Sequence, residues 1–216
     1  MKALVIGDVH GCYHTFKEMV QTHWDPSDTF LIQVGDLIQK GPFNGACLRY
    51  AMELEKEYPY QVFFLMGNHE WLFMREWKQR KNSPSIKPIL QQIKFQQLDE
   101  QQVIDWLSRR PLHWQTPHVR ISHAGWAKGL QKETALDASN SLLFNRQPLQ
   151  RLPQLQVVGH VVQASGRPLF KTSENAWFID TGAHLGRSLS ALLLNHEGHV
   201  LQRVRVATSP FDLMND

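Results

Sequence analysis

Cysteine is scarce: Cys12 and Cys47 are the only two in 216 residues. Two thiols in a chain of this length do not make a disulfide framework, so both are read as reduced and the protein as cytoplasmic. No apolar run approaches the roughly 20 residues of a membrane-spanning helix, and no membrane partner is expected. The apolar start, Ala3-Leu4-Val5-Ile6, is too short for a signal peptide. Net charge is small, +3 with His neutral and a pI near 8.9. That excess suits an anionic substrate and falls short of marking a nucleic-acid binder. Repeats, low-complexity stretches and linkers are also missing, so residues 1–216 read as a single domain. With 42% hydrophobic and 20% charged residues, disorder is excluded.

What is present is a series of short apolar runs, each ending in a polar cluster. Ala3–Ile6 ends at Gly7-Asp8-Val9-His10-Gly11, Phe30–Val34 at Gly35-Asp36, and Val62–Met66 at Gly67-Asn68-His69-Glu70. Between them, residues 13–24 and 45–57 carry apolar groups at helical spacing. Strands alternating with helices predict βαβ units, an α/β class with largely parallel strands. Ligands in such sheets gather at the carboxyl ends of the strands, where these clusters lie. Residues 71–110 are rich in Gln, Lys and Arg and are broken by Pro84 and Pro88. They read as a helical insertion, a cap, with a helix starting at Asp99. Six basic residues from Arg75 to Lys94 (Arg75, Lys78, Arg80, Lys81, Lys87, Lys94) face one acid, Glu76, and are weighted as a solvated helix face over a phosphate rim. From Leu112 the chain is β-rich. Val119–Ser122 runs into His123-Ala124-Gly125, Gln156–Val158 into Gly159-His160, and Trp177–Ile179 into Asp180. Ser190–Leu194 and Val200–Val204 predict a hairpin.

Collected, the strand-end residues are Asp8, His10, Asp36, Asn68, His123 and His160. Mixed O and N donors without thiolate suit two divalent ions, Mn²⁺ first with Fe or Zn²⁺ as alternatives, over an all-oxygen Mg²⁺ or Ca²⁺ cage. Asp36 is the candidate bridging carboxylate. A single His in a loop is ordinarily a turn or core residue; six such residues in this order, each after an apolar run, are not.

These blocks, with Gly35-Asp36-Leu37-Ile38-Gln39-Lys40-Gly41 between them, resemble the ordered signature of the calcineurin-like metallophosphoesterases. The resemblance is closest to the phosphoprotein phosphatase branch with its bacterial and phage serine/threonine phosphatases and symmetrical diadenosine tetraphosphatases. It implies a four-layer αββα sandwich. It implies that Asp8, His10, Asp36 and His160 hold one metal or the bridge, and that Asp36, Asn68, His123 and His160 surround the second. It implies hydrolysis by a hydroxide that two metals activate, with His69 as general acid and cations on the phosphate oxygens. Phosphate binding falls to Lys40, Asn68 and Arg146, the last because Leu142–Arg146 resembles the family's Trp-Asn-Arg segment. Asp180, in a late Asp-Thr-Gly turn, is assigned a structural or supporting role beside a ligand His.

The family's second block usually ends Asp-Arg-Gly; here it reads Gln39-Lys40-Gly41. Lys40 keeps the charge and loses the bidentate fork. Gln39 can accept from His69 but carries no charge, which implies a lower His69 pKa and an acidic limb of the pH–rate profile that moves down. His184 and Arg187 are read as a surface loop. The leading expectation is a phosphomonoesterase of the serine/threonine phosphatase type acting on a phosphoprotein. The alternatives are hydrolysis of a diadenosine or other nucleoside polyphosphate, dephosphorylation of phosphorylated RNA, and a metal-bound phosphate-binding module without turnover.

Overall fold

In a computed structural model, which describes residues 2–79, 83–130 and 136–213, the strands form two five-stranded sheets. The first sheet contains β1 (Lys2–Ile6), β2 (Thr29–Gln33), β3 (Val62–Phe64), β9 (Ser188–Asn195) and β10 (Val200–Ala207), in the order β10-β9-β1-β2-β3. As expected, β1, β2 and β3 are parallel, with Leu4 opposite Leu31 and Ile32 opposite Phe63. β9 and β10 are the antiparallel hairpin, closed by His196-Glu197-Gly198-His199. The second sheet contains β4 (His113–Gln115), β5 (Val119–Ser122), β6 (Leu155–Val158), β7 (Leu169–Lys171) and β8 (Ala176–Phe178), in the order β4-β5-β6-β8-β7.

Period-two alternation assigns the faces. Ala3, Val5, Ile32, Val34, Leu192 and Leu194 point from the first sheet to meet Val119, Ile121 and Val157 of the second, forming a core between the sheets. Leu4, Ile6, Leu31, Phe64 and Ala191 point the other way, into a second core under the helices. Those helices are α1 (Tyr13–His23), α2 (Asn44–Glu57), α3 (Asn68–Gln79), α4 (Lys87–Phe95) and α5 (Glu100–Ser108). The 71–110 insertion joins this layer: Ile89, Ile93, Val103, Ile104 and Trp106 share the core of Phe16 and Leu48. Asp99 caps α5 by accepting from the Gln102 amide at 2.9 Å. Arg75, Lys78, Lys87 and Lys94 are exposed on these helices, while Arg80 and Lys81 lie outside the described residues.

The fourth layer differs in kind from the helical layer. The outer face of the second sheet, Val158, Ala176 and Phe178, is covered by Leu149 from the irregular stretch at 136–150. Among the described residues, no α-helix follows α5. None of the helices is long and apolar enough to cross a membrane. Cys12 and Cys47 are buried and unbridged. Burial pushes both thiols up, Cys12 to about 12, so they stay protonated and inert.

Candidate active site

Three loops at the carboxyl ends of β1, β2 and β3 are knitted together by backbone bonds. The amides of Val9 and His10 both donate to the carbonyl of Asp36, and Gly11 donates to Leu37. Gly35 and Gly67 pack backbone to backbone; a Cβ at Gly67 would lie 2.2 Å from the Asp36 nitrogen. The strand ends could not come this close with any side chain there. Among the described residues, five of the seven non-glycine residues with positive φ are His10, Asp36, Gln39, Lys40 and His160. Backbone strain is thus concentrated at the residues the sequence had singled out.

Glu70 holds this arrangement from below. Its buried carboxylate accepts from the amides of Asp36 (2.8 Å), Gly67 (3.0 Å) and Ile38 (3.0 Å). In return, Asp36 Oδ1 accepts from the His69 amide at 2.9 Å, capping the start of α3. In the sequence Glu70 stands only as the last residue of the third polar cluster. The signal for more was its place three residues after Gly67, the capping-box spacing.

Two groups of donors meet on one oxygen, Asp36 Oδ2. In one, Asn68 Oδ1 lies 2.9 Å from both His123 Nε2 and His160 Nδ1. The two ring nitrogens are 3.1 Å apart, and His123 Nε2 is 3.5 Å from Asp36 Oδ2. His123 Nδ1 donates to Val34 O at 3.2 Å, which assigns the proton there and leaves a lone pair on Nε2. Asn68 Oδ1 and Asp36 Oδ2 are acceptors as well. At most one proton, on His160 Nδ1, could serve all these lone pairs, so the group suits a cation. In the other, His10 Nε2 lies 3.5 Å from Asp36 Oδ2 and 4.0 Å from Asp8 Oδ2. His10 Nδ1 is held by Ile38 O at 3.1 Å, again leaving a lone pair on Nε2. Both sets, His10–Asp36–His69 and Asp36–His123–His160, lie within metal-ligating reach.

The electrostatics agree. Burial, with Asp180 and Asp36 nearby, pushes the Asp8 carboxyl well above its usual range; burial and Glu70 do the same to Asp36. Burial pushes His10 and His123 well down, and His69 and His160 to about 4. Buried carboxylates that resist ionisation beside imidazoles that resist protonation are the state a divalent cation relieves.

His69 stands at the edge of this cluster. Its Nδ1 lies 2.7 Å from Gln39 Oε1, and its Nε2 is 4.0 Å from Asp36 Oδ2. The Gln39 amide oxygen accepts the Nδ1 proton and turns Nε2 inward. Lys40 Nζ reaches His10 Nε2 at 2.9 Å. Arg146 makes no hydrogen bond or ion pair among the described residues, yet its charge helps push down both His160 and His69. It is presented by an anchored turn: Leu142 and Leu143 are fully buried, and Asn145 Nδ2 donates to Gln147 O at 3.0 Å. Farther along, Asp137 ties the segment to α3 through Trp71 and Arg75.

Two further residues take definite places. Asp180 is buried and its Oδ1 accepts from the Gly182 amide at 3.0 Å, a structural position that bonds none of the donor histidines. Backbone carbonyls of Ile38 and Val34 orient His10 and His123 instead. His184 is not on a distant surface loop. A 3₁₀ turn, Ala183–Leu185, folds it edge-on against His10 with ring centroids 4.6 Å apart. The bracketing glycines at 182 and 186, both at positive φ, were the available signal.

Comparison with known proteins bears on the assignment here. The model of the calcineurin-like phosphoesterases matches residues 1–177. The chain belongs to that family. The chain is 32% identical over 157 residues to the symmetrical bis(5'-nucleosyl)-tetraphosphatase of Hamiltonella defensa, covering 69% of the chain and 54% of the relative. To the enzyme of that name from Pseudomonas entomophila it is 28% identical over 152 residues, covering 66% and 50%. The chain spans about half the length of the curated relatives it matches. In fold, it resembles a solved candidate diadenosine tetraphosphatase (TM-score 0.66, 21% identity, 97% of this chain and 94% of that one). It also resembles a protein serine/threonine phosphatase of Saccharomyces cerevisiae (TM-score 0.65, 13% identity, 96% and 79%).

Proposed function

We propose that this phosphoesterase hydrolyses nucleoside polyphosphates of the dinucleoside tetraphosphate class with two divalent ions, Mn²⁺ first. The observation that carries the chemistry is the single oxygen, Asp36 Oδ2, shared by two donor groups with His69 held beside it. Asp8, His10 and Asp36 would hold one ion; Asp36, Asn68, His123 and His160 would hold the other. Ions so placed supply a water of lowered pKa and a clamp for phosphate oxygens. The chain's own residues do the rest. Lys40 and Arg146 neutralise the non-bridging oxygens as charge develops. His69, steadied by Gln39, donates the proton that the leaving phosphate oxygen takes up. Glu70 holds the Asp36 loop rigid while this happens.

The substrate class follows the curated relatives, which are named for nucleoside tetraphosphates. Those names favour it over the phosphoserine/threonine reading that the motifs put first; the likeness to a serine/threonine phosphatase, at 13% identity, reaches the fold alone. The test is hydrolysis of diadenosine tetraphosphate, p-nitrophenyl phosphate, a phosphoserine peptide and 5′-phosphorylated RNA. The protein is assayed after chelation, after Mn²⁺ is restored, and as His69→Ala. ADP from the tetraphosphate, dependent on Mn²⁺ and cut about 10²–10⁴-fold in the variant, is the expected result. Turnover confined to the peptide would return the protein-phosphatase reading. No turnover with Mn²⁺ bound would leave a binding module.

A further inference from the structure

Beside the donors lies a cavity of about 190 Å³ that the chemistry above does not use. One wall is shared with the metal-ligating loops: Ala124 follows His123, and Gly159 and Val161 flank His160. Leu149, Val158 and Phe178, the buried cluster on the outer face of the second sheet, form its apolar floor. Two cations stand on it. Arg146 lines it together with Gly159 and Val161, the chain neighbours of His160. Lys171 lies 4.3 Å over the Phe178 ring and 3.4 Å from Glu174 Oε1. The Gln147 side chain, exposed on the rim, makes no hydrogen bond among the described residues.

We propose that this cavity is a subsite for one nucleobase of the substrate, with the attached phosphate reaching the donors past Arg146. The proposal rests on the nucleoside polyphosphate reading above and specifies where that substrate is distinguished from a bare phosphoester. Size argues first. Clefts for drug-sized ligands run roughly 300–1,000 Å³, so this space takes one planar ring system and neither a whole dinucleotide nor a peptide strand. Chemistry argues second. The apolar floor of Leu149, Val158 and Phe178 suits one face of a base. A free amide, with one donor group and one acceptor, suits its edge. Arg146 joins the cavity to the phosphate site, as a nucleotide's geometry requires. Three larger cavities, lined in turn by Met52, Gln97 and Trp106, by Pro117, Phe170 and Trp177, and by Trp77 and Lys94, contain none of the donor residues.

The test compares kcat/KM for diadenosine tetraphosphate and for p-nitrophenyl phosphate in Val162→Phe and Gln147→Ala, Mn²⁺ loaded. Val162 lines the cavity and holds no donor. Filling that space is expected to raise KM for the dinucleotide about tenfold and leave p-nitrophenyl phosphate within twofold. Gln147→Ala, at an exposed position, is expected to raise KM for the dinucleotide about threefold, the loss of one hydrogen bond. Dinucleotide KM unchanged in Gln147→Ala overturns the subsite, whatever Val162→Phe does. An unaltered dinucleotide KM in a folded Val162→Phe overturns it too. Wild-type protein that cleaves p-nitrophenyl phosphate but no dinucleotide overturns instead the substrate reading on which the subsite rests.

Discussion

The two donor groups share Asp36 Oδ2 and differ in almost everything else. In the Asn68–His123–His160 group, the donors come from three separate loops and close to 2.9–3.1 Å of one another. Its histidine His123 is locked by a carbonyl, and all its members are buried. In the Asp8–His10 group, two of the donors come from one loop, and their approaches are 3.5–4.0 Å. The protein's own cation, Lys40 Nζ, already stands on His10 Nε2. The first group is pre-organised around more lone pairs than the one available proton, on His160 Nδ1, can serve. The second is partly neutralised from within. An incoming ion is therefore expected to fill the His123 group tightly and the His10 group weakly.

The largest effect tests the shared oxygen. Asp36→Asn is expected to lower kcat/KM by about 10³-fold or more, since it weakens both groups and removes several kcal/mol of charge stabilisation. Mn²⁺ counting by electron paramagnetic resonance sharpens the comparison. His123→Ala should abolish the tight site and His10→Ala only the weak one. Equal losses from the two variants would mean that the groups are equivalent and do not differ in affinity.

Thermal stability gives the next effect. Mn²⁺ at about 100 times its Kd adds roughly 2.7 kcal/mol to a protein whose native state alone binds it. For a chain of this size, that is about 5–10 °C in Tm. Melting with chelator and with Mn²⁺ at pH 7 measures it. The buried, mutually repelling carboxylates Asp8 and Asp36 make the metal-free protein the weaker state. No rise in Tm would mean that their charge is already balanced.

Much of this was legible in the chain because it is local. Apolar runs of four or five residues with polar ends gave β1, β2 and their loops, and helical spacing gave α1 and α2. Asp99 before an amphipathic stretch gave the start of α5. Donors at strand ends could be collected without knowing the fold, since each follows its own strand. What was hidden depends on pairs distant in sequence. Glu70 matters through amides at 36 and 38, more than 30 residues away. His184 meets His10 only after β8 and β9 have placed their connection over the site. β7 is an exposed edge strand of three residues, with no alternation to betray it. The covering of the second sheet by loop instead of helix could not be inferred from periodicity, because residues 124–150 have none.

A smaller effect isolates Lys40. Replacing it by Met removes the cation on His10 Nε2 and should tighten the weaker Mn²⁺ site about tenfold, the scale of a charge a few ångström away in a partly solvated site. The tight site should move much less. Calorimetric titration separates the two. Arg146→Met is the control for charge alone, because Arg146 does not touch His10. If it tightens the weak site as much as Lys40→Met does, the contact at His10 has no special part in setting the difference between the groups.

The smallest effect concerns Gln39, and its sign has to be worked through. As the proposed general acid, His69 would work protonated, and that form is lost as pH rises through its pKa. Burial first, then Lys40, holds that pKa down at about 4, below the ordinary 6.5. The limb that His69 governs is therefore the alkaline one, and not the acidic limb that the sequence comparison suggested. Gln39 Oε1 already accepts from Nδ1 at 2.7 Å, so Gln39→Asp keeps the geometry and adds a negative charge that favours the imidazolium. The alkaline limb of kcat should move up by about one pH unit, at the low end for a carboxylate beside a cation. Stability should shift in the same sense. The depressed His69 pKa contributes stability that is present above about 6.5 and lost as pH falls toward 4. Raising it with Gln39→Asp should flatten that loss, so the variant's Tm relative to wild type should improve between pH 6 and pH 4.5. An unmoved alkaline limb together with an improved acid Tm would show that position 39 tunes the ring while His69 is not the proton donor.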